Sequence, residues 1–416
     1  MNKIAIVVAR YGVDINGGAE MHARMLAEHL KRNYTVQILT TCAKDNFSWG
    51  NYYEKGEETI NNIDVIRFKS EGKDRQKERK LSRYLRRSQR YGQTRITWRN
   101  FFYLPLEKFR YRKKENHDEI FNEWLRQQGP YCPTLVDFIN KNKDQYTTFI
   151  FFTYLYYPTY FGIQNVGNKS ILIPTAHDES PFYFGGMSKL FSAPTVILYN
   201  TLSEKKLVET TYPQAKEIHS DIVGVGFDKP DFDAIDIEIN SPYIVYIGRL
   251  DRRKGYKELI QYFQYYKKIY DNDTKLILIG GGADKNDKTS NDIIFTGFVS
   301  EKEKLSYLKN SKALIIPSRY ESLSMVTLEA MSIGKPVLAI AKSEVLRDHI
   351  ESSKAGFLYN DKIEFASALN KVLSLSEAEK NNIANNGTSY VSDNYSWPTI
   401  EEKLEKAINY VNSNNL

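Results

Sequence analysis

Two doubly wound α/β domains are predicted by three features: the length of the chain, its repeated passage from short apolar runs to helical periods, and one polar break near the middle. At 416 residues the chain exceeds one ordinary core, and two domains of about 200 residues each follow from size. Strands that alternate with helices argue a parallel sheet covered on both faces.

The first series opens with a strand at Ile4–Ala9. After the loop Arg10–Gly18, apolar residues at Ala19, Ala23, Leu26 and Leu30 form a helix stripe. Thr35–Leu39, Ile63–Phe68, Thr148–Phe152, Ser170–Pro174 and Val196–Asn200 continue it as strands. After a break comes Ile222–Gly226. The polar stretch Asp228–Asn240 reads as a linker. The second series has strands at Tyr243–Ile247, Lys275–Ile279, Ile293–Phe295, Ala313–Ile316 and Pro336–Ala339, a helix at Tyr256–Tyr270, and a last helix at Ile400–Val411. The domains are therefore placed at 1–223 and 224–395, with 396–416 as a terminal helix returning to the first. An insertion of about 70–143 interrupts the first domain. In it Leu81, Tyr84, Leu85 and Tyr91 share one face of a basic helix, and Ile120, Phe121, Trp124 and Leu125 mark a second.

Composition narrows the classes. Cys42 and Cys132 are the only cysteines, so neither a disulfide framework nor a zinc site is suggested, as expected of a reducing cytoplasm. No run reaches the ~18 apolar residues of a membrane span, and the apolar start at Ile4–Ala9 is too short for a signal peptide. The net charge of +7 is uneven. Between Lys73 and Lys114, 16 Lys or Arg face three acidic residues, a net of +13 that leaves −6 for the rest. One segment carries the basic excess, which is a local device.

The stretch Pro317-Ser318-Arg319-Tyr320-Glu321-Ser322-Leu323-Ser324-Met325-Val326-Thr327-Leu328-Glu329-Ala330 leaves a buried strand and enters a helix near Ser324. Free N–H groups and the helix dipole there favour phosphate. Glu321 and Glu329 bracket that helix start. Two carboxylates suit a ligand that also has hydroxyls, such as ribose and a hexose; the plain alternative is a capped surface helix with solvated glutamates. Gly248-Arg249-Leu250-Asp251-Arg252-Arg253-Lys254-Gly255 follows another strand. Arg249 and Lys254 are suited to clamp a diphosphate, while Arg252 and Arg253 read as an ordinary solvated turn.

Together, Gly17-Gly18-Ala19-Glu20, the Gly-Arg-x4-Lys-Gly run at Gly248, and Glu321-x7-Glu329 followed by Gly334-Lys335-Pro336-Val337 resemble the retaining glycosyltransferases of family 4. The resemblance covers nearly the whole chain and is weak only in the insertion. It implies a GT-B fold, two Rossmann-like domains facing a central cleft. By position, Glu321 resembles the residue that meets donor-sugar hydroxyls, Glu329 the ribose contact, and Arg249 and Lys254 the diphosphate clamp. Gly17 and Gly18 would approach the donor, Ser322, Leu323, Ser324 and Met325 would offer N–H groups, and Phe298 and Val299 would lie beside the base. Ile173-Pro174-Thr175-Ala176-His177-Asp178-Glu179 looks like the strand-end histidine motif, with His177 lining the reaction centre; Asp178 and Glu179 read equally well as local capping residues.

The resemblance implies a nucleotide-diphosphate-sugar donor, UDP first with GDP or dTDP as alternatives, and no cofactor or metal. Asp271-Asn272-Asp273 mimics a metal motif, but Asp and Asn are ordinary in a helix-to-strand turn. A glycan or lipid-linked acceptor in bacterial-type surface polysaccharide synthesis is expected, and cytoplasmic placement at the inner membrane face. The basic segment 73–114 would meet anionic lipid, an anionic acceptor, or only solvent. Its aromatics Tyr84, Tyr91, Trp98, Phe101, Phe102 and Tyr103 suit an interfacial surface or a packed helix alike. Nucleic acid is not expected, since no recognition motif accompanies the charge. The rival readings are a GT-B sugar-nucleotide epimerase or hydrolase, and a non-catalytic binder of sugar nucleotides or nucleic acid.

Overall fold

A computed structural model describes residues 2–15, 17–92, 114–227, 235, 237, 239–284 and 290–414. The predicted linker therefore lies mostly outside the described residues, as do Trp98, Phe101, Phe102 and Tyr103 of the insertion and the side chain of Tyr91. The chain forms two compact units, 1–200 with 204–223 and 401–416, and 201–203 with 224–400.

The first unit contains β1 (Lys3–Val7), α1 (Gly18–Leu30), β2 (Thr35–Thr41), β3 (Gly56–Ile60), β4 (Ile63–Phe68), α2 (Arg75–Gly92), α3 (Lys114–Gln128) and α4 (Pro133–Asn142). It continues with β5 (Thr148–Phe152), α5 (Tyr157–Val166), β6 (Ser170–Ile173), α6 (Met187–Leu190), β7 (Val196–Tyr199), α7 (Leu202–Thr211) and β8 (His219–Ile222). The sheet order is β3-β4-β2-β1-β5-β6-β7-β8. All pairs are parallel except β3–β4. The central strands are buried throughout, as in β5, Thr-Phe-Ile-Phe-Phe, because helices cover both faces of a parallel sheet.

β3 was not predicted. Its sequence, Gly-Glu-Glu-Thr-Ile, is largely exposed and carries almost no apolar signal. It forms because Asn61 and Asn62 both adopt positive φ (51° and 58°), the backbone of a two-residue hairpin turn. The edge strand β8 was not predicted either. The edge strand runs His219–Ile222, and the chain leaves the ladder at Gly224, whose φ is 58°.

The insertion is partly core. Leu85, Phe121, Trp124 and Leu125 are buried in the main cluster of this unit, with Leu81, Tyr84 and Ile120 packed against it. Trp124 donates its indole N–H to Ser82 Oγ at 2.8 Å, which satisfies the one polar atom that its burial would strand. The opposite face of α2 is left to Arg79, Lys80, Arg83, Arg86 and Arg87, all exposed.

The second unit contains β9 (Tyr243–Ile247), α8 (Tyr256–Ile269), β10 (Lys275–Ile279), β11 (Ile293–Gly297), α9 (Glu301–Asn310), β12 (Leu314–Ile316), α10 (Met325–Ser332), β13 (Val337–Ile340), α11 (Glu344–Ser353), β14 (Gly356–Tyr359), α12 (Lys362–Leu373) and α13 (Glu377–Tyr395). Its six strands are all parallel, in order β11-β10-β9-β12-β13-β14. The last helix, α14 (Trp397–Ser413), begins in this unit, and residues 401–416 belong to the first. There His29 Nδ1 lies 2.8 Å from Glu401, and Lys403 donates to the Ile222 carbonyl at 2.6 Å.

Both sheets reverse their winding direction once. In the first, β1 lies between β2 and β5; in the second, β9 lies between β10 and β12. Open α/β sheets bind ligands at the carboxyl ends of the strands on either side of such a reversal. In the second unit those ends are the loops after β9 and β12, the two stretches singled out from sequence. In the first they are the loops after β1 and β5, and His177 follows the next strand, β6.

Candidate active site

The second unit brings two of its predicted residues, Lys254 and Glu321, into direct contact. Lys254 donates to Glu321 Oε1 at 2.8 Å. Gly255 makes this contact possible: its φ is 77°, and a Cβ there would stand 2.6 Å from the Pro317 carbonyl oxygen. The loop after β9 can thus touch the end of β12 only through a residue without a side chain. Asp251 shapes the same loop by accepting from the N–H groups of Arg253 and Lys254 at 2.9 and 3.0 Å. Arg249 is 63% exposed, with Asp251 3.8 Å from its guanidinium. It reaches into solvent, whereas Lys254 is held.

Beyond Glu321 the chain turns sharply into α10. Ser324 sits in the left-handed region at φ 61°, and its hydroxyl bonds Thr327 Oγ1 at 2.9 Å instead of capping the helix. The amides of Leu323, Ser324 and Met325 donate to no acceptor among the described residues. Donors left open at a helix start form an anion site.

His349, which the sequence reading did not single out, holds this turn from below. Its Nε2 lies 2.7 Å from the Leu323 carbonyl and its Nδ1 3.0 Å from Tyr390 Oη. Burial pulls the imidazole below its ordinary range, so Nε2 donates and Nδ1 accepts. In sequence it was one histidine on the apolar face of a helix.

Glu329 lies in α10 and is paired with Lys304 of α9 at 2.9 Å, while Lys304 also meets Glu301 at 2.6 Å. Burial pushes the Glu329 carboxyl up, opposed by the lysine charge. Burial also draws Lys304 down, but the two carboxylates more than offset this and hold it charged. Lys304 was not predicted, because nothing in the sequence separates it from neighbouring surface lysines. Phe298 is 80% exposed. A Cβ at Gly281 would meet its ring at 2.3 Å, so the ring lies across bare backbone. Val299 follows, half-buried.

In the first unit, Gly17 precedes α1 and a Cβ there would meet the Glu20 carboxylate at 2.0 Å; one at Gly18 would meet nothing within 4 Å. Gly17 is thus explained by the fold and Gly18 is not. Glu20 accepts from Arg10 Nε at 2.9 Å. Tyr156, after β5, stands in the field of Glu20, Arg10 and Glu179, and burial chiefly pushes its phenol up to about 12. The loops after β1, β5 and β6 therefore share one polar cluster.

His177 is 30% exposed, and its Nε2 lies 3.3 Å from Glu179 Oε1. The backbone leading to it is strained. Thr153 (φ 69°) and Thr175 (φ 49°) are both left-handed, with their hydroxyls 3.2 Å apart. β-branched residues occupy this region only where the surroundings impose it. Here the fully buried Glu204 imposes it. Its carboxylate accepts from the N–H of Ala176 and, at 2.6 Å, from that of Asn200. Burial pushes Glu204 up to about 8. No strand or helix pattern points to Glu204 or the threonines.

Asn272 of the Asp271–Asp273 triplet spends its side chain on Tyr266 Oη and the Thr274 N–H. Among the described residues, no group of three or more His, Cys, Asp or Glu is placed to hold a metal ion. No helix of the described residues is long and apolar enough to cross a membrane.

Sucrose-phosphate synthase from Thermosynechococcus elongatus superposes with a TM-score of 0.65 at 17% identity, covering 98% of each chain. Anabaena HepE, solved with UDP and glucose, gives 0.66 at 14% identity over 98% of this chain and all of its own. Similarity at this level establishes the fold, which is the GT-B fold of two Rossmann-like α/β units. In sequence, the chain is 25% identical over 243 residues to the capsular polysaccharide biosynthesis glycosyltransferase CapM of Staphylococcus aureus, covering 53% of this chain and 62% of that one. It is 27% identical over 192 residues to the lipopolysaccharide 1,2-N-acetylglucosaminetransferase of Salmonella typhimurium, covering 41% and 49%. The chain thus spans less than two thirds of these curated relatives. Residues 228–390, which carry Arg249, Lys254, Phe298, Glu321, the α10 turn and Glu329, match the family model described as glycosyl transferases group 1.

Proposed function

We propose that the protein transfers a sugar from a nucleotide-diphosphate sugar to a glycan or lipid-linked glycan, with retention of anomeric configuration. The observation that carries this reading is the Lys254–Glu321 pair beside the open amides of Leu323 to Met325. A cation and a row of N–H donors suit a diphosphate, and the neighbouring carboxylate suits sugar hydroxyls. Arg249 closes on the diphosphate from solvent. Glu329, held by Lys304, takes the ribose hydroxyls, and the base lies beside Phe298 and Val299. Gly17 and Gly18 are proposed as donor contacts on the family resemblance. The names of the group 1 relatives, which include capsule and lipopolysaccharide enzymes, support the same reading.

No carboxylate is assigned as a base. A donor phosphate oxygen takes the acceptor proton on the face from which the nucleotide leaves. The protein supplies orientation and charge stabilisation, with His177 at the reaction centre and no metal required. The donor is a UDP sugar, with GDP and dTDP sugars as alternatives. Synthesis of a surface polysaccharide at the cytoplasmic membrane face fits the exposed cations of α2, which suit an anionic lipid surface.

Thermal shift with UDP, GDP and dTDP sugars identifies the nucleotide, because a bound donor stabilises the native state by mass action. Transfer is then measured with lipid-linked acceptors, and product anomers by NMR. Inverted product removes the retaining assignment. Release of free sugar and nucleotide with no glycosylated product on any acceptor supports the hydrolase or epimerase reading instead.

A further inference from the structure

The loop carrying His177 contains a carboxylate that the transfer chemistry does not use. Glu179 stands at the N-cap of the short 3-10 turn Ser180–Tyr183, yet its side chain makes no capping bond there. It turns inward instead. Its Oε1 receives the hydroxyl of Tyr154 at 2.9 Å and lies 3.3 Å from His177 Nε2. The Glu179 N–H donates to the His177 carbonyl at 2.8 Å, a tight turn that brings both side chains together.

The Tyr154 phenol is fully buried, and burial holds its pKa far above the usual range. It therefore stays protonated and donates to Glu179 Oε1, which is fixed in place as the acceptor. A carboxylate facing one imidazole nitrogen favours the proton on that nitrogen. The same logic operates where an acidic residue sets the tautomer of a catalytic histidine.

We propose that Glu179, braced by Tyr154, is a positioning residue that orients the His177 ring and keeps its proton on Nε2. In the neutral ring Nδ1 is then the lone-pair nitrogen, and the imidazolium is stabilised when it forms. Glu204 serves a different purpose: it fixes the main chain at Ala176, one residue before the histidine, and leaves the ring to Glu179. Among the described residues, the ionisable groups near this pair include Asp178 on the same loop, whose carboxylate accepts from Tyr183 at 2.7 Å, Tyr154 and Tyr156 from the segment after β5, which stand in the field of Glu179, and Glu204 from α7, which stands in that of His177.

The test is NMR of the full chain labelled at histidine Cε1 and ring nitrogens. Six histidines are present, and His177→Gln assigns the relevant signal. In Glu179→Gln the His177 pKa should fall by about 1 unit or more, the scale expected for loss of an adjacent opposite charge, and the ring nitrogens should lose their preference for the Nε2–H form. Tyr154→Phe should shift both in the same direction by less. An unchanged titration and tautomer in folded Glu179→Gln overturns the proposal. If that variant does not fold, Glu179→Ala, which also removes the charge, is read instead with the same outcomes. The kinetic arm rests on the proposed transferase activity: Glu179→Gln should lower kcat at least tenfold with donor KM little changed. A wild-type protein that consumes no donor sugar defeats the proposed function, while the NMR arm still decides the role of Glu179.

Discussion

The two units bend the chain at their strand ends by opposite means. In the second, glycines do it after β9 and β10, while after β12 Ser324 takes φ 61° and buried His349 holds the turn. Gly255 and Gly280 take φ of 77° and 134°, and a Cβ on either would strike backbone, at 2.6 Å and 2.1 Å. In the first, Thr153 and Thr175 take left-handed φ despite branched side chains. A glycine turn has no steric cost to offset. A threonine turn costs roughly 1–3 kcal/mol and persists only if something holds it. The holding groups are Glu204, the paired threonine hydroxyls and the hydrogen bonds from the Thr153 and Tyr154 amides back to β6 and Pro174, both 2.9 Å. The loop after β9 thus places its polar residues through local sequence, and the loop after β6 through a buried network.

The largest effect expected from this contrast lies in the glycine-built site. Lys254→Ala and Glu321→Ala should each lower transfer by about 10²–10³-fold, the scale of losing one fixed group that meets transition-state charge. The double variant should fall little further, because the pair acts as a unit. Melting temperatures should fall modestly, since Lys254 is 30% and Glu321 12% exposed and removing either partner leaves a part-buried charge unpaired, so transfer is compared where each variant is folded. Wild-type turnover in both single variants removes the site assignment.

This contrast also accounts for what could be read from sequence. Gly248 to Gly255 and Pro317 to Glu329 were legible because local rules produce them: glycine at a turn, a strand end, a helix start. The central strands were legible because they are apolar end to end. Lys304, His349 and Glu204 were not, since each acts on a residue 25 to 28 positions away that only the fold brings near. β3 was missed because a turn, not an apolar face, defines it. β8 was missed because His-Ser-Asp-Ile is partly exposed and carries little apolar signal.

Exchanging the two turn chemistries should separate them by stability. Gly255→Ala puts a Cβ against a backbone carbonyl at positive φ and should cost about 1–2 kcal/mol or more, read by denaturant melts. Thr175→Gly relieves roughly 1–3 kcal/mol of strain but adds ~0.5–1 kcal/mol of unfolded-state entropy and loses the hydroxyl pair, so stability should change little or rise slightly. A large loss in Thr175→Gly would show that the hydroxyl pair, not Glu204, holds the turn.

The buried network predicts a pH dependence. Burial raises Glu204 from 4.5 to about 8, so the folded protein favours its protonated form. The stability this preference contributes is fully present below pH 4.5 and is lost as pH rises through about 8. Wild-type melting temperature should therefore decline across that window more than that of Glu204→Gln, whose side chain cannot ionise. Parallel curves for the two proteins would mean that Glu204 is held ionised throughout by the Ala176 and Asn200 amides.

The smallest effect on stability belongs to α2, where the first unit spends sequence on neither turns nor network. Arg79, Arg83 and Arg87 recur every fourth residue on an exposed face, and such like-charge spacing destabilises an isolated helix by ~0.2–0.5 kcal/mol per pair. The buried face, with Leu85 inside and Ser82 bonded to Trp124, holds the helix in place regardless. Arg79→Glu with Arg83→Glu should thus change stability by no more than ~0.5 kcal/mol and leave transfer to a soluble acceptor intact. Co-flotation with vesicles containing anionic lipid should drop, and that of the wild type should weaken as salt screens the surface. If neutral and anionic vesicles retain the wild type equally, the exposed cations are a solvated face, and the membrane assignment goes with them.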